Sequence, residues 1–367
     1  MSPAERFDRI RLARTPGVGP LTFRRLLARF PVARQAIEEL PNLARAGGRT
    51  APLTIAKTAD VERELAQLHA MGARLLVLGE PDYPELLALL VDAPPVIAVM
   101  GDPALLSRRA VGVVGARNAS ANGQRMAEAL SAELASLGVL IVSGLARGID
   151  TAAHTGALHT GHTAAAIAGG LDIAYPAENA ALQARIGEKG VVIAEAPLGT
   201  APQARHFPRR NRIIAGLSMA VVVVEAARNS GSLITAQQAL DAHRIVLAVP
   251  GSPLDPRSHG SNDLIRNGAG LVGQASDVVE AVAGWERPLA KSESFGLAEA
   301  QAPFEAPIDA VTARARVLAL LSHDPAMVDD LIRRCQLSAS TVMAVLLVLE
   351  LDGLVETLPG HRVALLG

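Results

Sequence analysis

Beyond Val96 the chain alternates short, uninterrupted apolar runs with longer stretches in which apolar residues recur at helical spacing. The runs are Val96–Met100, Val111–Val114, Val139–Val142, Ala164–Ala168, Val191–Ala194, Val221–Glu225 and Ile245–Val249. A run that is apolar throughout predicts a strand covered on both faces, and the helical stretches between runs supply the cover. The pattern therefore predicts an extended Rossmann-like, doubly wound α/β domain with a mainly parallel sheet. Ligands of such sheets lie beyond the carboxyl ends of the strands.

On either side the pattern changes. Residues 10–27 read as a helix, a tight Pro16-Gly17-Val18-Gly19 turn and a second helix with Leu21, Leu26 and Leu27 on its apolar side, the spacing of a helix-hairpin-helix. Ala59–Met71 predicts another helix and Arg74–Leu78 a strand, before Asp82-Tyr83-Pro84 and Ala93-Pro94-Pro95 break the chain. Near the other end, Trp285–Ile308 is rich in Pro, Ser, Ala and Glu and reads as a linker. Ala313–Leu321, Met327–Cys335 and Ser340–Asp352 follow as helices, with Ser338 capping the last, and Leu354–Leu358 and Val363–Leu366 flank Pro359-Gly360 as a hairpin. Three helices and a hairpin make a winged helix. The expected division is a helical domain over 1–80, the Rossmann-like domain over 81–284, a linker over 285–310 and the winged helix over 311–367. The third helix of that last domain has no Lys or Arg and carries Glu350 and Asp352, which argues against major-groove docking and for a protein-contact or autoregulatory role.

Composition narrows the picture. Half of the 367 residues are hydrophobic but only 2% are aromatic, which favours an α/β protein over a β-sandwich and makes each ring informative. The net charge of -1 sets up no global field for a polyanion, so any such site comes from local clustering. Cys335 is the single cysteine, which excludes a disulfide framework and a multi-cysteine zinc site. His154, His159 and His162 lack a metal-ligand spacing, so neither a metal nor a cofactor is expected. Glu5, Arg6, Asp8 and Arg9 interrupt any signal-peptide core, and no apolar run approaches membrane-spanning length; a cytoplasmic protein without membrane contact is the expectation.

The candidate chemistry sits at the strand ends. Gly115-Ala116-Arg117 follows the second run and precedes a helix: the glycine lets the backbone approach a ligand, the helix N-terminus favours an anion, and Arg117 adds a full charge. The G-x-G-x-x-G fingerprint is absent, which disfavours an NAD site. Ser143-Gly144-Leu145-Ala146-Arg147-Gly148 repeats the arrangement, followed by Asp150 and His154 one helical turn apart, a structural hydrogen-bonded pair. Gly170 ends the next run, and Ser230-Gly231-Ser232 before a helix containing Thr235 forms an anion nest. Leu233 and Ile234 belong either to an interface or to the core. Between two strands, residues 207–218 read as an arginine-rich loop around one ring: Phe207, Arg209, Arg210, Asn211 and Arg212 in close succession. A guanidinium fork suits phosphate oxygens and a ring suits a stacked base. Phe207 and Arg210 are the foremost candidates for contact; Arg117, Arg210 and Arg212 are expected to hold consecutive phosphates, the alternative for Asn211 and Arg212 being to shape the loop, with Arg212 pairing with Glu195 or Glu225. Together these turns predict a phosphate-binding groove.

These motifs, with Gly170-Leu171-Asp172, Tyr175-Pro176, Ser230–Ala236 and Val249-Pro250-Gly251, resemble the DNA-processing protein A (DprA/Smf) family over the whole central domain. The resemblance implies a non-enzymatic protein that binds single-stranded DNA, protects incoming strands in natural transformation, loads the RecA recombinase and acts as a homodimer. It places the family's phosphate contact on Gly115-Ala116-Arg117, with alanine where serine is usual, and its base-contacting phenylalanine on Phe207. Ala177-Glu178-Asn179 follows Tyr175-Pro176 where the family often has a lysine. The N-terminal segment looks like the family's sterile-alpha-motif-like domain, and the winged helix also fits the resemblance. A different class, the lysine-decarboxylase-like phosphoribohydrolases, has a Pro-Gly-Gly-x-Gly-Thr-x-x-Glu motif in a comparable place. Here the next polar side chains after Thr235 are the amides of Gln237 and Gln238, and an amide is no general base.

Overall fold

The computed structural model describes residues 1–46, 53–285, 310–358 and 360–366. Beyond Trp285 the expected linker lies outside the described residues up to Ala310, as does Pro359 of the expected hairpin turn. Four helices open the chain: α1 (Pro3–Ala13), α2 (Pro20–Arg29), α3 (Ala33–Ala46) and α4 (Thr58–Ala70). The first half of the central domain runs β1 (Ala73–Val77), α5 (Glu85–Ala88), β2 (Val96–Gly101), β3 (Ala110–Val114), α6 (Ala121–Ser136), β4 (Leu140–Ser143), α7 (Ile149–Thr160) and β5 (Thr163–Ile167). The second half runs α8 (Ala180–Lys189), β6 (Val191–Ala194), α9 (His206–Leu217), β7 (Ala220–Val223), α10 (Gly231–Asp241), β8 (Ile245–Ala248), α11 (His259–Arg266), β9 (Gly270–Leu271) and α12 (Ala275–Ala283). The last elements are α13 (Ala310–Leu320), β10 (Ala326–Met327), α14 (Val328–Cys335), α15 (Ala339–Leu351), β11 (Val355–Leu358) and β12 (Arg362–Leu365).

The described residues form two compact units, divided after Glu62 and again beyond Trp285. The larger is a nine-stranded sheet in the order β1-β2-β6-β5-β4-β3-β7-β8-β9. From β6 to β9 all neighbours are parallel. Side-chain alternation shows why the runs are apolar throughout: Val111 and Val113 enter the core under α6 and α7, while Ala110 and Val114 enter the opposite core with Ile213 and Ile214 of α9. Burying one such valine contributes about 1.5–3 kcal/mol.

One expectation is corrected. Arg74–Leu78, assigned by sequence to the N-terminal domain, forms β1 at the edge of this sheet, paired antiparallel with β2 from Ala73↔Met100 to Val77↔Val96. β2 in turn runs antiparallel to β6, so the first apolar run is an antiparallel addition to the parallel core.

The smaller unit contains α1, α2, α3 and the winged helix, whereas most of α4 belongs to the larger. Leu12, Phe23, Leu26, Ile37 and Leu40 fill the core among α1, α2 and α3. In the winged helix Val317, Leu331, Val342, Leu346 and Val363 pack behind a β10-β12-β11 sheet. Ser338 caps α15 as expected, its Oγ accepting from the Thr341 N–H at 3.1 Å.

Candidate nucleic-acid interface

The strand order reverses between β3 and β7: the chain leaves β3 toward β4, β5 and β6, then returns to β7, β8 and β9 on the other side. Crevices open at such reversals, beyond the carboxyl ends of the strands. Here the crevice is bordered by the Gly115–Arg117 turn after β3, the Gly144–Gly148 turn after β4, and the first turn of α9.

The residues from Phe207 onward are not a loop. They form α9, with Pro208 at its third position, where the absent N–H has no intrahelical acceptor to lose. The helix sorts the arginines. Arg209 points outward, whereas Arg210 and Arg212 are 6% and 7% exposed. Phe207, half-buried at the helix start, has the Arg117 guanidinium over its ring at 4.9 Å, the Arg210 guanidinium at 6.0 Å and the Tyr175 ring at 5.7 Å, tilted by 51°. Both rings border solvent, Tyr175 being 49% exposed. Tyr175 was not among the residues selected from sequence; the scarcity of aromatic residues was the signal that marked it.

Arg210 holds this cluster from beneath. Its guanidinium lies 3.7 Å from Asp150 Oδ2, and that oxygen also accepts from the Gly144 N–H at 3.1 Å and the Ala146 N–H at 3.3 Å. Burial raises the Asp150 carboxyl, opposed by Arg210 and the two N–H bonds, and lowers the Arg210 guanidinium, opposed by Asp150. Arg210, a foremost contact candidate on sequence, is thus an internal counterion whose edge reaches the ring. The Gly144 turn is an anion nest filled by the chain's own carboxylate.

The turn after β3 is likewise occupied. Glu225 accepts from the Ser120 N–H at 2.9 Å and its hydroxyl at 2.5 Å, and Ser120 Oγ accepts from the Gly123 N–H, so the start of α6 already has its anion. Arg117 is exposed over the ring. Gly148, at φ +75°, has no room for a Cβ, which would meet Ala116 O at 2.3 Å; this close approach binds the second turn under the first.

The other selected residues are distributed as follows. Ser143 is fully buried and its hydroxyl donates to Val113 O at 2.6 Å. Gly170 is buried beside Pro197 and Leu198. Ser230 caps α10 and bonds to the Ser232 hydroxyl at 2.7 Å; Ser232 and Thr235 are buried, while Gly231 is exposed with open space above it. Asn211 Nδ2 donates to Gly231 O at 3.3 Å and Gln238 Nε2 to Pro208 O at 3.1 Å, tying α9 to α10. Ile234 is 45% exposed on α10, and Leu233 is partly buried against the core. Arg212 pairs with Glu195 at 2.5 Å and Asp92 at 3.7 Å, so of its two expected partners Glu195 is the one it meets. Arg147, exposed, pairs with Glu178 at 2.7 Å, so the acidic residue after Tyr175-Pro176-Ala177 neutralises a rim cation.

The expected Asp150–His154 bond is replaced by others. His154 Nδ1 lies 2.7 Å from Thr163 Oγ1, which donates its own proton to Ile141 O. Nδ1 therefore carries the proton. Burial, with the charge of Arg210, lowers the imidazole pKa to about 3. No group of three or more His, Cys, Asp or Glu able to hold a metal occurs among the described residues.

Comparison with known proteins decides the family. The model of DNA recombination-mediator protein A matches residues 74–283, more than half of the chain. The chain belongs to this family. A DprA-like N-terminal helix-hairpin-helix model matches residues 3–66 and a DprA winged-helix model residues 300–361. The DNA processing protein DprA of Bacillus subtilis is 41% identical over 64% of this chain and 78% of its own. The crystal structure of DprA from Streptococcus pneumoniae aligns with a TM-score of 0.63 at 35% identity, over 78% of this chain and 99% of that one. DprA from Helicobacter pylori, whose structure is described in terms of its single-stranded DNA binding mode, aligns with a TM-score of 0.52 at 27% identity, over 57% of this chain and 95% of that one. Among the described residues no single helix is long and apolar enough to cross a membrane.

Proposed function

We propose that this member of the DprA family binds single-stranded DNA without regard to sequence at the crevice beyond β3 and β4, and passes it to the RecA recombinase during transformation. The observation that carries the proposal is the half-exposed Phe207–Tyr175 pair with Arg117 set over the Phe207 ring. A ring face accepts any base, and a neighbouring guanidinium meets the backbone phosphate. Arg209 and Arg205 border the same helix start. The protein acts by binding, not by turnover: the next polar side chains after Thr235 are the amides of Gln237 and Gln238, the latter tied to Pro208 O. It works as a homodimer, a reading supported by the exposed apolar Ile234 and Leu240 on α10.

The test is fluorescence anisotropy with labelled oligothymidine and oligoadenine. Removing one stacking ring costs about 1–3 kcal/mol, so Phe207→Ala weakens binding to both oligomers by roughly tenfold or more. The salt dependence stays unchanged, because the ring carries no charge. Unchanged affinity, or loss for one sequence only, refutes the stacking role. RecA filament formation on coated single strands, accelerated by the wild type and not by Phe207→Ala, tests the delivery step.

A further inference from the structure

The hairpin turn between α1 and α2 is covered by a distant part of the chain. Gly17, at φ +81°, lies so close to α15 that a Cβ would stand 2.2 Å from the Leu351 Cα, and a Cβ on Gly19 would stand 2.9 Å from Glu350 Oε1. Leu351 is 4% exposed, yet it belongs with Leu12, Val18, Phe23 and Ile37 in the N-terminal core, with Leu347 packed against the same cluster. The last turns of α15, the third helix of the winged helix, are therefore seated on the hairpin.

Glu350 forms the polar part of this contact. It is 8% exposed and accepts from the Thr22 hydroxyl at 2.5 Å and the Thr357 hydroxyl at 3.1 Å. Thr22 is in the first turn of α2, a helix with no capping side chain and no acidic residue of its own in that turn. Its basic residues are Arg24, Arg25 and Arg29. A carboxylate from the winged helix thus supplies the negative charge that the α2 N-terminus lacks. Burial raises the Glu350 carboxyl, opposed by the two hydroxyls and by Arg25, while Glu356 adds to the rise. Burial likewise lowers the Arg25 guanidinium, and Glu350 opposes that.

We propose that α15 is a lid in cis on the hairpin turn, an autoinhibitory contact in which Glu350 stands where a nucleic-acid phosphate would otherwise meet the start of α2. The contact explains why the third helix lacks basic residues: its partner is the arginine-bearing helix of the same chain. With the lid in place, neither α15 nor the hairpin is open to DNA. With the lid displaced, the first-turn N–H groups of α2 and Arg25 become a second DNA contact, separate from the crevice.

The test uses the full chain carrying Phe207→Ala, so that changes are read against a weakened crevice. Leu351→Asp and, separately, Glu350→Gln are added, and hydrogen exchange over residues 14–30 is measured with the affinity for labelled duplex and single-stranded oligonucleotides. The expected result is faster exchange over that segment and about threefold or more tighter binding, both at low salt. The gain disappears when Arg25→Glu is added. Faster exchange without tighter binding overturns the proposal, as does a gain that survives Arg25→Glu. Unchanged exchange in both variants also overturns it. Glu350→Gln keeps the side-chain shape, so the outcome does not depend on Leu351→Asp folding.

Discussion

Gly144→Ala tests the internal support of the ring cluster with the smallest possible change. The added methyl would stand 1.1 Å from Arg210 Nη1 and 2.3 Å from its Cζ, so the guanidinium has to leave. Asp150, 6% exposed, then keeps its N–H bonds but loses the cation 3.7 Å away. Removing one partner of a buried ion pair costs about 3–5 kcal/mol, and the remaining N–H bonds put this case near the lower end, about 3 kcal/mol. For a domain of this size that lowers the melting temperature by roughly 6–12 °C. Urea denaturation of Gly144→Ala, Arg210→Met and the double variant separates the causes. If the methyl acts only by expelling Arg210, each single change costs about the same and the double variant costs little more than either. Costs that add to within about 0.5 kcal/mol refute the mechanism. Oligothymidine affinity falls in all three variants, because the guanidinium 6.0 Å from the Phe207 ring is lost in each.

His154 makes stability depend on pH in a defined direction. Its imidazole is neutral in the folded protein down to about pH 3, while in the unfolded chain it takes up a proton near its ordinary 6.5. The unfolded state therefore binds more protons between those values: the contribution is complete above 6.5 and is lost as pH falls toward 3. By about pH 4.5 the loss from this group is about 3 kcal/mol, and His154→Gln flattens that part of a urea-stability profile; a variant with the wild-type slope refutes the assignment. Glu178→Gln releases Arg147, beside Tyr175, from its carboxylate. Binding of single strands then tightens and its log-log salt slope steepens by about 0.7, whereas an unchanged slope denies that Arg147 reaches the backbone.

The strands were legible because burial on both faces leaves a continuous apolar run, and each of the seven runs is a strand within a residue or two. The direction of β2 was not: an antiparallel strand buried on both faces has the same composition, and only its pairing with β1 and β6 distinguishes it. α9 was hidden by Pro208, which reads as a breaker yet sits in the first turn, where proline is harmless. Missing the helix meant missing its faces, so Arg210 was assigned to the ligand although one step of about 100° separates it from the exposed Arg209. The glycine turns after β3 and β4 read as phosphate sites; that Glu225 and Asp150 meet them depends on contacts across 4 to 105 positions of sequence, only the shortest of which is visible in a local motif.

The internal pairing alters what the crevice offers a polyanion. Arg210 faces Asp150, Arg212 faces Glu195 and Asp92, and Arg147 faces Glu178. Three arginines that sequence assigned to phosphate are thus neutralised by the chain itself, consistent with a net charge of -1 and no global field. Arg117 differs: its partner is the Phe207 ring, which attracts a cation without cancelling its charge. On the proposed function, the ring and this one guanidinium act as a unit, the ring holding a base and the arginine its phosphate, while the paired arginines fix the geometry of α9. Binding then draws more on stacking than on counterion release, and stacking is indifferent to sequence because every base has a π-face.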